Sequence, residues 1–129
     1  AMKSVNQLLA GVHIAAMGEA LTFGMQQGIT AQKIVDVITA SAGNSWMFEN
    51  RAPHVVAGDY SPHSAIDIWL KDLGIVLDVA RLEKFSAPLA AAALQQFAAA
   101  SGSGLGREDD AAVTKVYARN CGLELPGDT

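Results

Sequence analysis

Apolar residues recur along this chain at the spacing of α-helices, and no alternating strand pattern competes with them. From Lys3 to Gln27 the apolar positions are Val5, Leu8, Leu9, Val12, Ala15, Ala16, Leu21 and Met25, with no proline among them. Gly28 follows as a C-cap, so the pattern predicts one long helix, apolar around much of its circumference. Thr30 is placed to cap a second helix running to about Thr39, with Ile34, Val35 and Ile38 on its inner face. Gly43-Asn44 reads as a turn. Ser45 then caps a short helix from Trp46 to Arg51, which Pro53 ends or kinks. After a loop over Gly58–Pro62, Ser64 is expected to cap a long helix reaching Lys84, striped by Ile66, Trp69, Leu70, Leu73, Val76, Leu77 and Ala80. Pro88 suits the first turn of a helix to about Ala100. Asp109 or Asp110 opens a last helix to about Arg119, and Gly122 and Pro126 belong to a frayed tail. The expected fold is a single all-α domain over residues 1–129, built on one long N-terminal helix.

Composition agrees with close-packed helices. Half of the residues are hydrophobic, many of them alanine, and 6% are aromatic. The net charge of -4, with no basic block, argues against nucleic-acid and anionic-membrane partners. One cysteine, Cys121, excludes an internal disulfide and a cysteine-based zinc site, so a reducing cytoplasm is the simplest compartment. His13, His54 and His63 lack metal-ligand spacing, and no metal is expected. No run reads as a bilayer span or a signal peptide. The opening Ala1-Met2 reads as a cut rather than a natural start. Gly102, Gly104 and Gly106 follow a helix rather than a strand, so they read as an interhelical loop and not as a dinucleotide-binding turn.

Three segments carry candidate chemistry. Lys3 and Gln7, at i and i+4, share one face of a helix start, where an amine and an amide could meet a substrate hydroxyl or carbonyl. From spacing alone they read first as a solvated lysine with a helix-surface amide. Asp67 and Lys71 have the order of a helix salt bridge, although Lys71 could instead hold a phosphate or carboxylate. Gly43–Arg51 gathers two aromatics, an amide and an arginine, and its bland reading is a packed helix hairpin anchored by Trp46 and Phe48.

Lys3-x-x-Asn6-Gln7, the Ala-rich helix with Glu19-Ala20-Leu21, and the later Asp67-x-x-x-Lys71-Asp72-Leu73 together resemble the β-hydroxyacid dehydrogenases. That family includes 3-hydroxyisobutyrate dehydrogenase and tartronate semialdehyde reductase, with 6-phosphogluconate dehydrogenase as a larger relative. The strings Gln7–Ala16, Ala42–Arg51 and Leu125-Pro126-Gly127 look like the family's L-threonate-oxidising branch. The resemblance implies the helical C-terminal half of an NAD- or NADP-dependent enzyme, whose N-terminal Rossmann domain is absent from this chain. It implies that Lys3 is the catalytic general acid/base. Asn6, Gln7 and Ser64 would bind substrate, Gln7 standing where many relatives have asparagine and Ser64 where several carry a bulky aromatic. Lys71 would reach the cofactor, with Asp72 fixing that lysine. The implied substrate is a small hydroxy acid, L-threonate first and 3-hydroxyisobutyrate or tartronate semialdehyde next. The implied assembly is a homodimer or tetramer through the long helix. A non-catalytic helical dimerisation module is the competing class. The isolated chain is expected to have no turnover and at best weak NAD affinity.

Overall fold

The computed structural model describes residues 1–128. Six α-helices follow one another: α1 (Met2–Gln26), α2 (Ala31–Ile38), α3 (Trp46–Ala57), α4 (Ile66–Leu82), α5 (Pro88–Ala100) and α6 (Thr114–Asn120). A wide π-type turn, Ser101–Leu105, and a 3-10 turn, Asp110–Val113, join α5 to α6. No strand occurs among the described residues, as the apolar spacing predicts.

Helix α1 is the axis, packing against each of the other five helices. Ile14, Met17 and Leu21 put its buried side into a core shared with Leu73 of α4 and Phe97 of α5. By length and composition α1 could cross a bilayer, which corrects the expectation that no run here is apolar enough. Half of the window that meets this criterion is buried inside the domain, as suits the central helix of a bundle.

Several predicted ends are borne out by their hydrogen bonds. Gly28, at φ 92°, closes α1: its N–H reaches the Met25 carbonyl and the Ile29 N–H reaches that of Gly24, the paired closure of a glycine-ended helix. The Thr30 hydroxyl accepts from Lys33 N–H, and the Ser45 hydroxyl from Phe48 N–H at 3.0 Å.

Other ends differ. Helix α3 continues through Pro53 to Ala57. Its burial of Phe48, Arg51 and Val55 against the core outweighs the missing N–H of one proline. Trp46, expected as an anchor, is exposed. Helix α4 begins at Ile66 after Ala65, and Ser64 does not cap it. Instead the Ile66 and Asp67 N–H groups donate to the Glu108 and Gly106 carbonyls, so a distant backbone segment satisfies that helix end. Asp67 is not paired with Lys71: its carboxylate accepts from the Ser101 hydroxyl at 2.6 Å and packs against Gly106. The tail beyond α6 is anchored rather than frayed. Leu125 is buried, and its N–H donates to the Asp128 carboxylate at 2.8 Å.

Candidate functional site

The first two turns of α1 lie beside the middle of α4. Lys3, Ser4 and Gln7 from α1 face Lys71, Asp72, Ile75 and Val76 from α4 across a cavity of about 150 Å³. The helical repeat explains the grouping: positions 3, 4 and 7 share one face of α1, and positions 71, 72, 75 and 76 share one face of α4. The approach of the helices depends on Gly11. A Cβ there would fall 2.9 Å from Leu73 Cδ2, so the absent side chain is the space that Leu73 fills.

Lys3 and Lys71 are exposed, while Gln7 and Asp72 are half-buried. Gln7 Nε2 donates to Asp72 Oδ2 at 2.8 Å, and Asn6 Nδ2 donates to Gln7 Oε1 at 3.0 Å. The ion pairs among the described residues are Arg51–Asp110, His54–Asp109 and Lys115–Glu108, so neither Lys3 nor Lys71 is held by a carboxylate. The cavity therefore presents two ammonium groups, an amide and the Asp72 carboxylate to whatever enters, a net positive lining suited to an anionic, oxygen-rich ligand.

Lys3, Gln7, Lys71 and Asp72, expected from sequence at the site, are thus brought together, with Asn6 one hydrogen bond behind. The expectation that Asp72 fixes Lys71 is corrected, because Asp72 bonds Gln7 on the other helix. Ser64 does not join them. It lies in the loop before α4, where its carbonyl accepts the Asp110 N–H at 2.7 Å, and it does not line this cavity. Sequence reasoning passed over Ser4, Ile75 and Val76. Their signal is the i, i+4 relation of Ile75 to Lys71 and of Val76 to Asp72.

A second polar cluster, also missed, stiffens the domain at the start of α4. Asp110 is buried, with Arg51 Nε 2.6 Å from Oδ1 and Trp69 Nε1–H donating to Oδ2 at 2.9 Å. Burial pushes its carboxyl above the usual range, against the pull of Arg51 and Trp69. Its neighbour Asp109 accepts from His54 Nδ1–H at 2.8 Å and from the backbone N–H groups of His63 and Ala111. Burial works to raise Asp109 too, but those bonds outweigh it and hold the carboxyl below its ordinary value.

Residues 1–117 match the family model described as "NAD-binding of NADP-dependent 3-hydroxyisobutyrate dehydrogenase". The chain belongs to this family. An L-threonate dehydrogenase of Cupriavidus necator is 59% identical over 126 residues, covering 98% of this chain and 41% of that protein. One from Escherichia coli is 54% identical with the same two coverages. A crystal structure of 3-hydroxyisobutyrate dehydrogenase from Salmonella typhimurium superposes with a TM-score of 0.88 at 55% identity, over 89% of this chain and 40% of that one. The chain thus spans about two fifths of the length of these relatives. Both the resemblance read from sequence and the all-helical class are borne out by these matches.

Proposed function

We propose that this chain is the helical half of an NAD(P)-dependent hydroxy-acid dehydrogenase that oxidises L-threonate, with Lys3 as its general acid/base. The observation that carries the reading is the delivery of Lys3 and Lys71, from two helices, to one cavity that Gln7 also lines. Identity of 59% to a protein named L-threonate dehydrogenase supports the substrate. A cavity of about 150 Å³ is small beside the several hundred Å³ typical of a complete small-molecule site. It suits a small hydroxy acid and the reacting end of a cofactor, with the rest of the dinucleotide held by an N-terminal Rossmann domain of the full-length protein.

The residues present fit such a cofactor. Lys71, exposed at the cavity wall, offers an ammonium to cofactor oxygens. A bound nicotinamide would take up the hydride from the carbon that bears the hydroxyl. On the protein side, the Lys3 amine accepts the hydroxyl proton during oxidation and returns it during reduction. Gln7 donates a hydrogen bond to the acid, and Asn6 supports it. Ser64 has a place in this reading only where the full-length protein folds substrate back over the loop before α4.

Full-length protein assayed with L-threonate and NAD⁺ or NADP⁺, by the absorbance of the reduced cofactor, tests the reading. Lys3→Ala should lower kcat by about a hundredfold or more. Intact turnover in that variant retires the catalytic role and favours a non-catalytic helical module. A second substrate, 3-hydroxyisobutyrate, is favoured by the 55% identity to the Salmonella protein of that name. Running both acids, with tartronate semialdehyde in the reducing direction, decides between them. A cytoplasmic homodimer or tetramer through α1 completes the proposal. The assembly is supported by Met2, Leu9 and Phe23, apolar and 78%, 47% and 69% exposed at intervals of seven and fourteen residues along the helix. Sedimentation of the full-length protein as a monomer would remove it.

A further inference from the structure

The bond between Gln7 and Asp72 ties the substrate side of the proposed site to the cofactor side, and it crosses from α1 to α4, 65 residues apart in sequence. A carboxylate only accepts hydrogen bonds, so the Gln7 amide must turn its nitrogen to Asp72. The opposite edge of the same amide is occupied as well, because Oε1 accepts from Asn6 Nδ2. With both edges engaged, the amide cannot flip. One Gln7 N–H remains free at a cavity that Lys3 and Lys71 also line.

The half-burial of Gln7 and Asp72 gives this restraint its strength, since a charge-assisted bond away from bulk water exceeds the same bond on an open surface. Asp72 has no competing duty that the structure shows. It pairs with neither lysine, and Gln7 is its side-chain partner among the described residues.

We infer that Asp72 is a positioning residue that acts through Gln7, locking the amide so that its free N–H is presented beside Lys3 as a donor to an anionic or hydroxylated substrate. The inference rests on the dehydrogenase reading for the identity of that substrate, but the Asn6–Gln7–Asp72 chain is read from geometry alone. It differs from an electrostatic role for Asp72, in which the negative charge would tune Lys3 or Lys71. The two make opposite forecasts for a neutral replacement of the same shape.

The test is a double-mutant cycle in the full-length enzyme, with L-threonate and NAD⁺ as probes. Asp72→Ala and Gln7→Ala should each lower kcat/KM by about tenfold, the loss expected for one charge-assisted bond. The double variant should be no worse than Gln7→Ala, because Asp72 then has nothing to position. Asp72→Asn should lose less than Asp72→Ala, about threefold, since its amide oxygen still accepts from Gln7 through a neutral bond weaker than the charge-assisted one. The pH–rate profile of Asp72→Ala should keep its shape. Penalties that multiply in the double variant overturn the inference. So does an Asp72→Asn variant as impaired as Asp72→Ala, or a displaced pH profile, each of which assigns the role to the charge. Circular dichroism checks folding, and Asp72→Ser replaces Asp72→Ala in the cycle should the latter not fold. Intact turnover in Lys3→Ala would count against the dehydrogenase mechanism, whereas the cycle is read on whatever turnover the parent has, so the two failures are distinct.

Discussion

Two aspartates adjacent in sequence meet opposite fates in this domain. Asp109 is held below its ordinary pKa by donors that outnumber what burial takes away, while Asp110 is pushed above its own by burial despite Arg51 and Trp69. The sign of each shift sets a pH dependence. For Asp109, the folded chain gives up the proton more readily than the unfolded chain does. Its stabilisation is present above the unfolded value near 3.8 and is lost as pH falls through the lower, folded value. Asp110 works the other way: the folded chain holds its proton more tightly, so its contribution is present below the ordinary value and is lost as pH rises through the raised, folded one. The Asp109 contribution should appear as a fall in the urea midpoint on the acid side, and Asp110 opposes it. Asp109→Asn should be less stable at neutral pH and show a flatter acid limb. An unchanged limb would assign the acid loss to other carboxylates.

At the scale of elements, the contact that matters most to the site is that of α1 with α4. Gly11 leaves no side chain where Leu73 packs, and Leu73 is fully buried, so it cannot yield toward solvent. Gly11→Ala would gain about 1 kcal/mol of helix propensity. The 2.9 Å approach of the new methyl to Leu73 would cost about 1–3 kcal/mol, so the clash should win. A melting temperature lowered by several degrees is expected. Gln7 and Asp72 sit on those same two helices, so their hydrogen bond should lengthen and kcat/KM fall with it. A variant as stable and as active as the parent would show that Leu73 repacks freely. The element boundaries that sequence misplaced have one cause. Helix α4 starts against the backbone carbonyls of Gly106 and Glu108, and α3 passes Pro53 because its buried face holds it, and neither partner is near in sequence.

For the whole molecule, the chain carries one wall of a site whose other wall is proposed to lie in a preceding domain. Residues 1–129 alone should give no turnover with L-threonate. In titration calorimetry they should bind NAD⁺ more weakly than about 1 μM, since one small cavity with two lysines offers little of a dinucleotide's contact surface. Tight binding by the isolated domain would mean that the helical half holds the cofactor unaided. The helical class, the central helix, the helix ends at Gly28, Thr30, Ser45, Pro88 and Ala100 and the two lysine motifs are legible in the sequence. Each of those is written in short-range spacing: a 3.6-residue repeat, a cap three residues from its partner, a glycine just past a helix. It is the packing of the helices that gives Asp72 to Gln7 and not to its neighbour Lys71, turns Asp67 to Ser101, sets Ser64 apart from Lys3, and brings Arg51 and Trp69 to Asp110. Those choices depend on which faces of distant helices meet, and a chain read residue by residue has no term for that.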